Sequence, residues 1–258
     1  MLTKHSTPQY KTMKYIEKPN LPQGRVTVAA ISTQAGESIQ KLNELGIKTI
    51  EIKPYNVLPE PVNYHADLQI LHLGNNFILY QNEHLCIGES ELKFNFKKIH
   101  QSAGNRYPDD VRLNCAIIGK KIICNVNTIA REVLEFAELN GLTVINVNQG
   151  YTKCSICVVN ENAIITDDES TFTAAGNFFN DTLFISKGSI GLKGYGYGFI
   201  GGCCGKIDEN IIAFNGAIES HKDYKKILDF LNRNSVEIIE LNNKPLYDIG
   251  GILPLCEE

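Results

Sequence analysis

Apolar positions along this chain come in two alternating rhythms. Short apolar runs stand either side of a polar turn, as at residues 68–73 and 77–80 around Gly74-Asn75-Asn76, and this spacing predicts β-hairpins. Between the hairpins, apolar residues recur at helical period. Tyr224, Ile227, Leu228 and Leu231 predict a helix after Ser220 and Asp223, which stand at capping-box spacing, and residues 236–241 predict a strand after it. Residues 198–203 and 211–214, joined by the polar turn 205–210, form the hairpin ahead of that helix, so residues 193–241 hold one complete ββαβ unit.

The same order recurs upstream. Residues 116–124 predict a tight hairpin, followed by a helix over 129–140 that stops at Gly141 and a strand over 143–146. Residues 155–159 and 163–166 predict another hairpin, with a helix around 169–175 and a strand near 182–185. Hairpin centres at Asn75, Lys120, Glu161 and Ile207 lie 45, 41 and 46 residues apart, a period that marks stacked or circular repeats. The first unit lacks a leading hairpin: it has a strand at 26–31, a helix at 36–45 ending before Gly46, and a strand at 49–52. The chain closes on a lone strand at 252–255. A half unit at each end suits a closed ring whose last strand completes the first blade. The expectation is an α/β protein, a five-bladed pseudo-symmetric β/α propeller of residues 25–258, preceded by an irregular, proline-interrupted arm at 1–24. Residues 83–112 are the least regular, with a helix predicted over 89–102 and no clear returning strand.

Units of this type, five to a ring, resemble the pentein fold of guanidino-group-modifying enzymes: arginine and agmatine deiminases, dimethylarginine hydrolases and amidinotransferases. More narrowly, His65-Ala-Asp67, the motif 197–202 (Tyr-Gly-Phe-Ile-Gly-Gly) and the motif 248–254 (Asp-Ile-Gly-Gly-Ile-Leu-Pro) resemble an uncharacterised bacterial branch of that fold.

Composition narrows the partners. At 43% hydrophobic and 21% charged the chain can bury an ordinary core. Its net charge of −4, with both signs interspersed, offers neither nucleic acid nor an anionic membrane a concentrated basic face. The N-terminus has no apolar signal-peptide core and no apolar run approaches the ~18 residues of a membrane span, so a soluble cytoplasmic protein is expected. In that compartment the eight cysteines are expected as reduced thiols. A small-molecule ligand is the expected partner, and the sequence does not fix the oligomeric state.

In a ring of such blades, residues entering the first strand of each unit converge on the axis. This selects His65 and Asp67, Asn114 and Cys115, Lys153 and Cys154, Tyr197, and Asp248. Asp67, Asn114, Lys153, Tyr197 and Asp248 are the candidate ligand-binding set, expected to share one cavity. A carboxylate at the bottom of a pocket pairs strongly with a guanidinium, although Asp67 also reads as a strand-start residue capping local amides. The resemblance implies a cysteine nucleophile after glycines near the C-terminus and a histidine from a middle blade. Here Gly250 and Gly251 are followed by Leu253 and Pro254, and the nearest thiol is Cys256, beside Glu257 and Glu258. The middle blade reads Thr152-Lys153-Cys154, without the histidine. The candidate catalytic residues are therefore Cys154, Cys256 and His65, with His72 as a second base; Cys154 also reads as a buried small hydrophobe. Cys154 and Cys157 are three apart on a strand and face opposite ways, so no metal site is expected there. No glycine loop runs directly into a helix, so no nucleotide cofactor is expected. The alternative to an enzyme is a non-catalytic pentein that uses the ring as a binding surface.

Overall fold

The computed structural model describes residues 13–82 and 93–258. β1 (Lys14–Tyr15), β2 (Val26–Ser32), α1 (Gly36–Glu44) and β3 (Lys48–Ile52) come first, followed by α2 (Ala66–Gln69), β4 (Ile70–Gly74), β5 (Phe77–Tyr80) and β6 (Asn95–Lys98). The third unit is β7 (Ala116–Ile118), β8 (Lys121–Cys124), α3 (Arg131–Leu139) and β9 (Thr143–Asn146). The fourth is β10 (Ile156–Asn160), β11 (Ala163–Thr166), α4 (Glu169–Ala175) and β12 (Asp181–Phe184). The fifth is β13 (Cys204–Asp208), β14 (Ile211–Phe214), α5 (Tyr224–Arg233) and β15 (Glu237–Glu240), and β16 (Leu253–Glu257) follows it.

These strands form five small sheets of one pattern, an antiparallel hairpin whose second strand pairs in parallel with the third. The first sheet is assembled from both ends of the chain. β16 lies antiparallel to β2, with Leu253 opposite Ala30 and Cys256 opposite Val28, and so supplies the hairpin partner that the first unit lacks. β1 pairs on the other edge of β16, with Lys14 opposite Glu257.

Local chemistry accounts for the boundaries. Asn75 and Gly119 take positive φ in the hairpin turns, and Gly46 and Gly141 do so just past α1 and α3. Asp168 caps α4 by accepting the Thr171 amide at 2.8 Å. Ile227, Phe230 and Leu231 share the buried face of α5, and each such side chain contributes roughly 1.5–3 kcal/mol on burial. The core is five apolar clusters, each joining one sheet to the next: first to second, second to third, third to fourth, fourth to fifth, and fifth back to the first. A sixth cluster, with Tyr55, Leu58, Val62 and Leu192, packs among the connecting loops.

Four sequence expectations need correction. Residues 198–203 are not a strand: Gly201–Cys203 is a 3-10 turn and the hairpin begins at Cys204, because the backbone at Gly201 and Gly202 presses against Lys153, Ile156 and Asp248. Residues 95–98, expected in a helix over 89–102, are β6, the returning strand of the second unit; residues 89–92 lie outside the described residues. The capping box at Ser220 does not form, since Ser220 Oγ donates to Ala217 O while the Asp223 carboxylate accepts the Ser186 amide and binds Lys226. The strand expected from residue 68 starts at Ile70, after the single turn of α2. Among the described residues no helix is long and apolar enough to cross a membrane.

Candidate active site

Three chain segments meet where the first strands of the second, third and fourth sheets begin. His65 stands at the N-cap of α2 and Asp67 in its first turn; Asn114 lies just before β7; Lys153 and Cys154 lie in the turn that leads into β10. Asn114 holds the segments together. Its Oδ1 accepts the amides of Lys153 at 2.8 Å and Cys154 at 3.2 Å, and its Nδ2 donates to Asp67 O at 3.2 Å and to Cys154 Sγ at 3.3 Å. The Cys154 thiol in turn donates to Asp67 Oδ2 at 2.9 Å. One ligand-type atom each from His65, Asp67 and Cys154 lie within 4.8 Å of one another, and all three side chains are buried.

Glycines admit this close approach. Gly250 adopts φ +75°, and a Cβ there would lie 2.4 Å from His65 Cα; at Gly202 a Cβ would lie 2.0 Å from Asp248 Oδ1. The loop around Gly250 therefore seats Asp248 beside the cluster. Asp248 Oδ2 accepts the Phe199 amide at 2.9 Å, Oδ1 accepts the Gly250 amide at 3.0 Å, and Oδ1 lies 3.7 Å from His65 Nδ1.

A cavity of about 200 Å³ opens over this floor, lined by His65, Cys154, Tyr197 and Asp248 together with Val62, Tyr151, Leu192, Tyr195 and Phe199. Tyr151 stacks on Phe199 with ring centroids 6.3 Å apart, and Tyr197 meets Phe199 edge-on at 5.7 Å. The Tyr151 hydroxyl donates to the buried carboxylate of Asp110. Aromatic faces above carboxylates suit a small cation, which gains ring attraction and ion pairing in one place.

Charge is costly on this floor. Burial pushes the Asp67 carboxyl up to about 6 against the opposing pull of His65 and Lys153. Burial, with the nearby Asp67 and Asp248 carboxylates, pushes the Cys154 thiol well above its ordinary value. Outside the cavity, just after β11, Asp167 is likewise pushed up to about 7 by burial.

The sequence-selected residues do not share one cavity. Asp248, Tyr197, His65 and Cys154 line the larger one, whereas Asp67 and Lys153 border a separate cavity of about 20 Å³ with His72, Leu113, Cys115 and Pro254. Asn114 is buried between them as a clasp. Lys153 Nζ donates to Gly201 O at 3.3 Å. His72 turns its Nε2 to Asn75 O, and burial lowers its pKa to about 4. Cys256 lies apart from the others, on β16 among Val28, Ala30 and Leu253, where burial and then Glu257 push its thiol up to about 12. Cys115 is packed in the core between the second and third sheets. Sequence reasoning missed the aromatic wall: Tyr151, Tyr195, Phe199 and the supporting Asp110. The available signal was the alternation of glycine with aromatic residues over 194–199.

The chain belongs to a family of unknown function, DUF6873, whose profile matches residues 30–253. No curated protein sequence matches it. Among solved structures it is similar to the agmatine deiminase of C. jejuni, with a TM-score of 0.54 and 10% identity over 93% of this chain and 96% of that one. It is likewise similar to the inosamine-phosphate amidinotransferase of Streptomyces griseus, with a TM-score of 0.56 and 10% identity over 94% and 97%. DDAH from Pseudomonas aeruginosa, in complex with citrulline, gives a TM-score of 0.53 and 11% identity over 84% and 92%. The chain thus has the fold of the pentein superfamily.

Proposed function

We propose that this pentein binds a small guanidino- or amidino-bearing metabolite over Cys154 and acts on it as a cysteine-dependent hydrolase or transferase. In this reading the five sheets are the blades of a single propeller formed by residues 25–258, and the cavity is its axial pocket. One observation carries the proposal: the Cys154 thiol, hydrogen-bonded to Asp67 at 2.9 Å, lies at the floor of an aromatic cavity that also holds His65 and Asp248. Net charge and patterning favour a small molecule over nucleic acid or a membrane surface, and the chain calls for no organic cofactor.

The bound cation supplies what the free site lacks. A positive charge beside Cys154 lowers the thiol pKa, and the proton passes along the existing hydrogen bond from Sγ to Asp67 Oδ2. The thiolate attacks the central amidine carbon, forming a C–S bond while one C=N electron pair moves onto nitrogen. His65 protonates the departing amine as the C–N bond breaks. Water, or an acceptor amine in a transferase, then attacks the same carbon and gives a proton to His65 as the C–S bond breaks, and the released thiolate recovers its proton from Asp67.

A second reading, a binding protein without turnover, is favoured by the buried, protonated state of Cys154 in the free protein. The two divide on one measurement: labelling by a haloacetamidine at neutral pH, alongside ammonia release from a panel of guanidino and amidino compounds. Fast labelling and ammonia release that both vanish in Cys154→Ser support the enzyme. Saturable binding of the compounds with neither signal leaves the binding protein, and no binding at all removes both.

A further inference from the structure

The geometry points to a second occupant of this floor: a thiophilic divalent metal ion, with Zn2+ the best fit, held by Cys154 Sγ, a ring nitrogen of His65 and a carboxylate oxygen of Asp67. Its fourth position opens to the cavity. Thiolate, imidazole and carboxylate are the donor types zinc takes, and three protein ligands plus one open position is its arrangement at reactive centres.

Three observations carry this. The donors come from separate segments, yet their ligand atoms lie within 4.8 Å of one another and are buried. Two of the polar atoms here, His65 Nδ1 and Asp67 Oδ1, have no hydrogen-bond partner although each is shielded from solvent. Buried polar atoms left unpaired call for an explanation, and an ion seated between these two supplies one. The surroundings also suit bound metal: Asn114 Nδ2, 3.3 Å from Sγ, supports a thiolate, and Asp248, 3.7 Å from His65 Nδ1, adds negative charge beside the ring. Lys153 is the opposing positive charge, directed at Gly201 O.

Binding exchanges a proton for the ion. The thiol proton now shared between Cys154 and Asp67 leaves, a sulfur–metal bond forms, and no electron changes hands. Zn–S near 2.3 Å and Zn–O near 2.1 Å set a tetrahedral S···O separation of about 3.6 Å, so the pair, now at 2.9 Å, opens by a fraction of an ångström. The sequence alone gave no such site, because the partners of Cys154 come from another unit and not from the neighbouring Cys157. This inference shares residues with the enzyme reading but does not rest on it. Metal and a cationic ligand compete for the same floor, so Zn2+ is expected to inhibit whatever the cavity binds.

The test uses the full chain stripped with chelator and reloaded with Zn2+ or Co2+ alone. X-ray absorption of the zinc form is expected to show one ion per chain with a single sulfur at about 2.3 Å and the remaining ligands nitrogen or oxygen at about 2.0–2.2 Å. The cobalt form is expected to show a thiolate charge-transfer band that disappears in Cys154→Ser. His65→Gln and Asp67→Asn should weaken binding at least about tenfold. A shell without sulfur, a shell with two or more sulfurs from the Cys157, Cys203 and Cys204 region, substoichiometric binding, or a band that survives Cys154→Ser would each overturn the proposal. If Cys154→Ser fails to fold, the wild-type absorption spectrum decides alone. Metal binding without amidine labelling would leave this inference standing while the enzyme reading falls.

Discussion

Cys154 and Cys256 are both buried and both held protonated, yet their surroundings differ in kind. Around Cys154 lie Asp67, Asn114, Lys153, His65 and Asp248, with polar atoms left unpaired. Around Cys256 lie Val28, Ala30, Ile52 and Leu253, and its neighbour Glu257 is engaged by the Gln23 and Gly24 amides. A thiol becomes useful through groups that can take its proton and hold a ligand, and exposure alone supplies neither. The C-terminal strand spends its residues on joining the first sheet, whereas the segments around Cys154 give up stability to assemble a polar floor.

The largest effect that could break this comparison is on reactivity. Cys154→Ser should lower amidine-probe labelling and any turnover about a thousandfold or more, while Cys256→Ser leaves both unchanged. Kinetics of labelling followed by peptide mapping would read this directly. A modified peptide containing Cys256 would reverse the assignment.

Next in size is the electrostatic cost of a buried carboxyl outside the cavity, just after β11. Asp167 is buried with Oδ1 unpaired and its carboxyl pushed up to about 7. The folded state keeps this proton up to about pH 7, while the unfolded chain releases it near pH 4, so native stability falls as pH rises through that window. The loss is at most about 4 kcal/mol, three pH units at about 1.4 kcal/mol each. Asp167→Asn removes the dependence: it should stabilise the protein above pH 7 and make little difference below pH 4. Urea unfolding at pH 4 and pH 8 would measure it, and an equal difference at both values would show that Asp167 is not the titrating group.

On the other side of the comparison, Cys256→Ser places a hydroxyl in an apolar cluster and should cost about 1–3 kcal/mol of stability, without altering ligand binding. An unchanged unfolding midpoint would mean that the β16 environment is more polar than its packing shows.

How much of this was visible beforehand depends on the range of the interactions. The repeat was legible because hairpins, helices and their glycine stops are local, and the pairing of β16 with β2 followed from a half unit at each end. The strand β6 was not: the four residues of Asn95–Lys98 are exposed and carry no alternation that marks a strand. At the site, repeat position pointed to His65, Asp67, Asn114 and Cys154 together, because each enters or precedes a first strand. It could not show that Asn114 would be a clasp, that Lys153 would turn to Gly201 O, or that His72 would face Asn75. Those outcomes depend on side-chain direction across units far apart in sequence. Of the aromatic wall, repeat position reached only Tyr197; Tyr151, Tyr195 and Phe199 lie in loop segments outside the strands and helices of the repeat.

The smallest expected effect sharpens the division between floor and wall. Tyr197 is half-buried, meets Phe199 edge-on at 5.7 Å and has Lys187 Nζ 5.9 Å from its ring centre. It lines the ligand space and is not one of the groups proposed to move protons. Tyr197→Ala should therefore weaken a bound guanidinium by about 0.5–2 kcal/mol, roughly 2- to 30-fold, while labelling of Cys154 at saturating probe keeps its rate. Tyr197→Phe should retain most of the affinity, since the ring face remains. Calorimetric titration of both variants separates the cases. If the phenylalanine variant binds as weakly as the alanine one, the hydroxyl rather than the ring does the binding, and the ligand is held by a hydrogen bond and not by its positive charge.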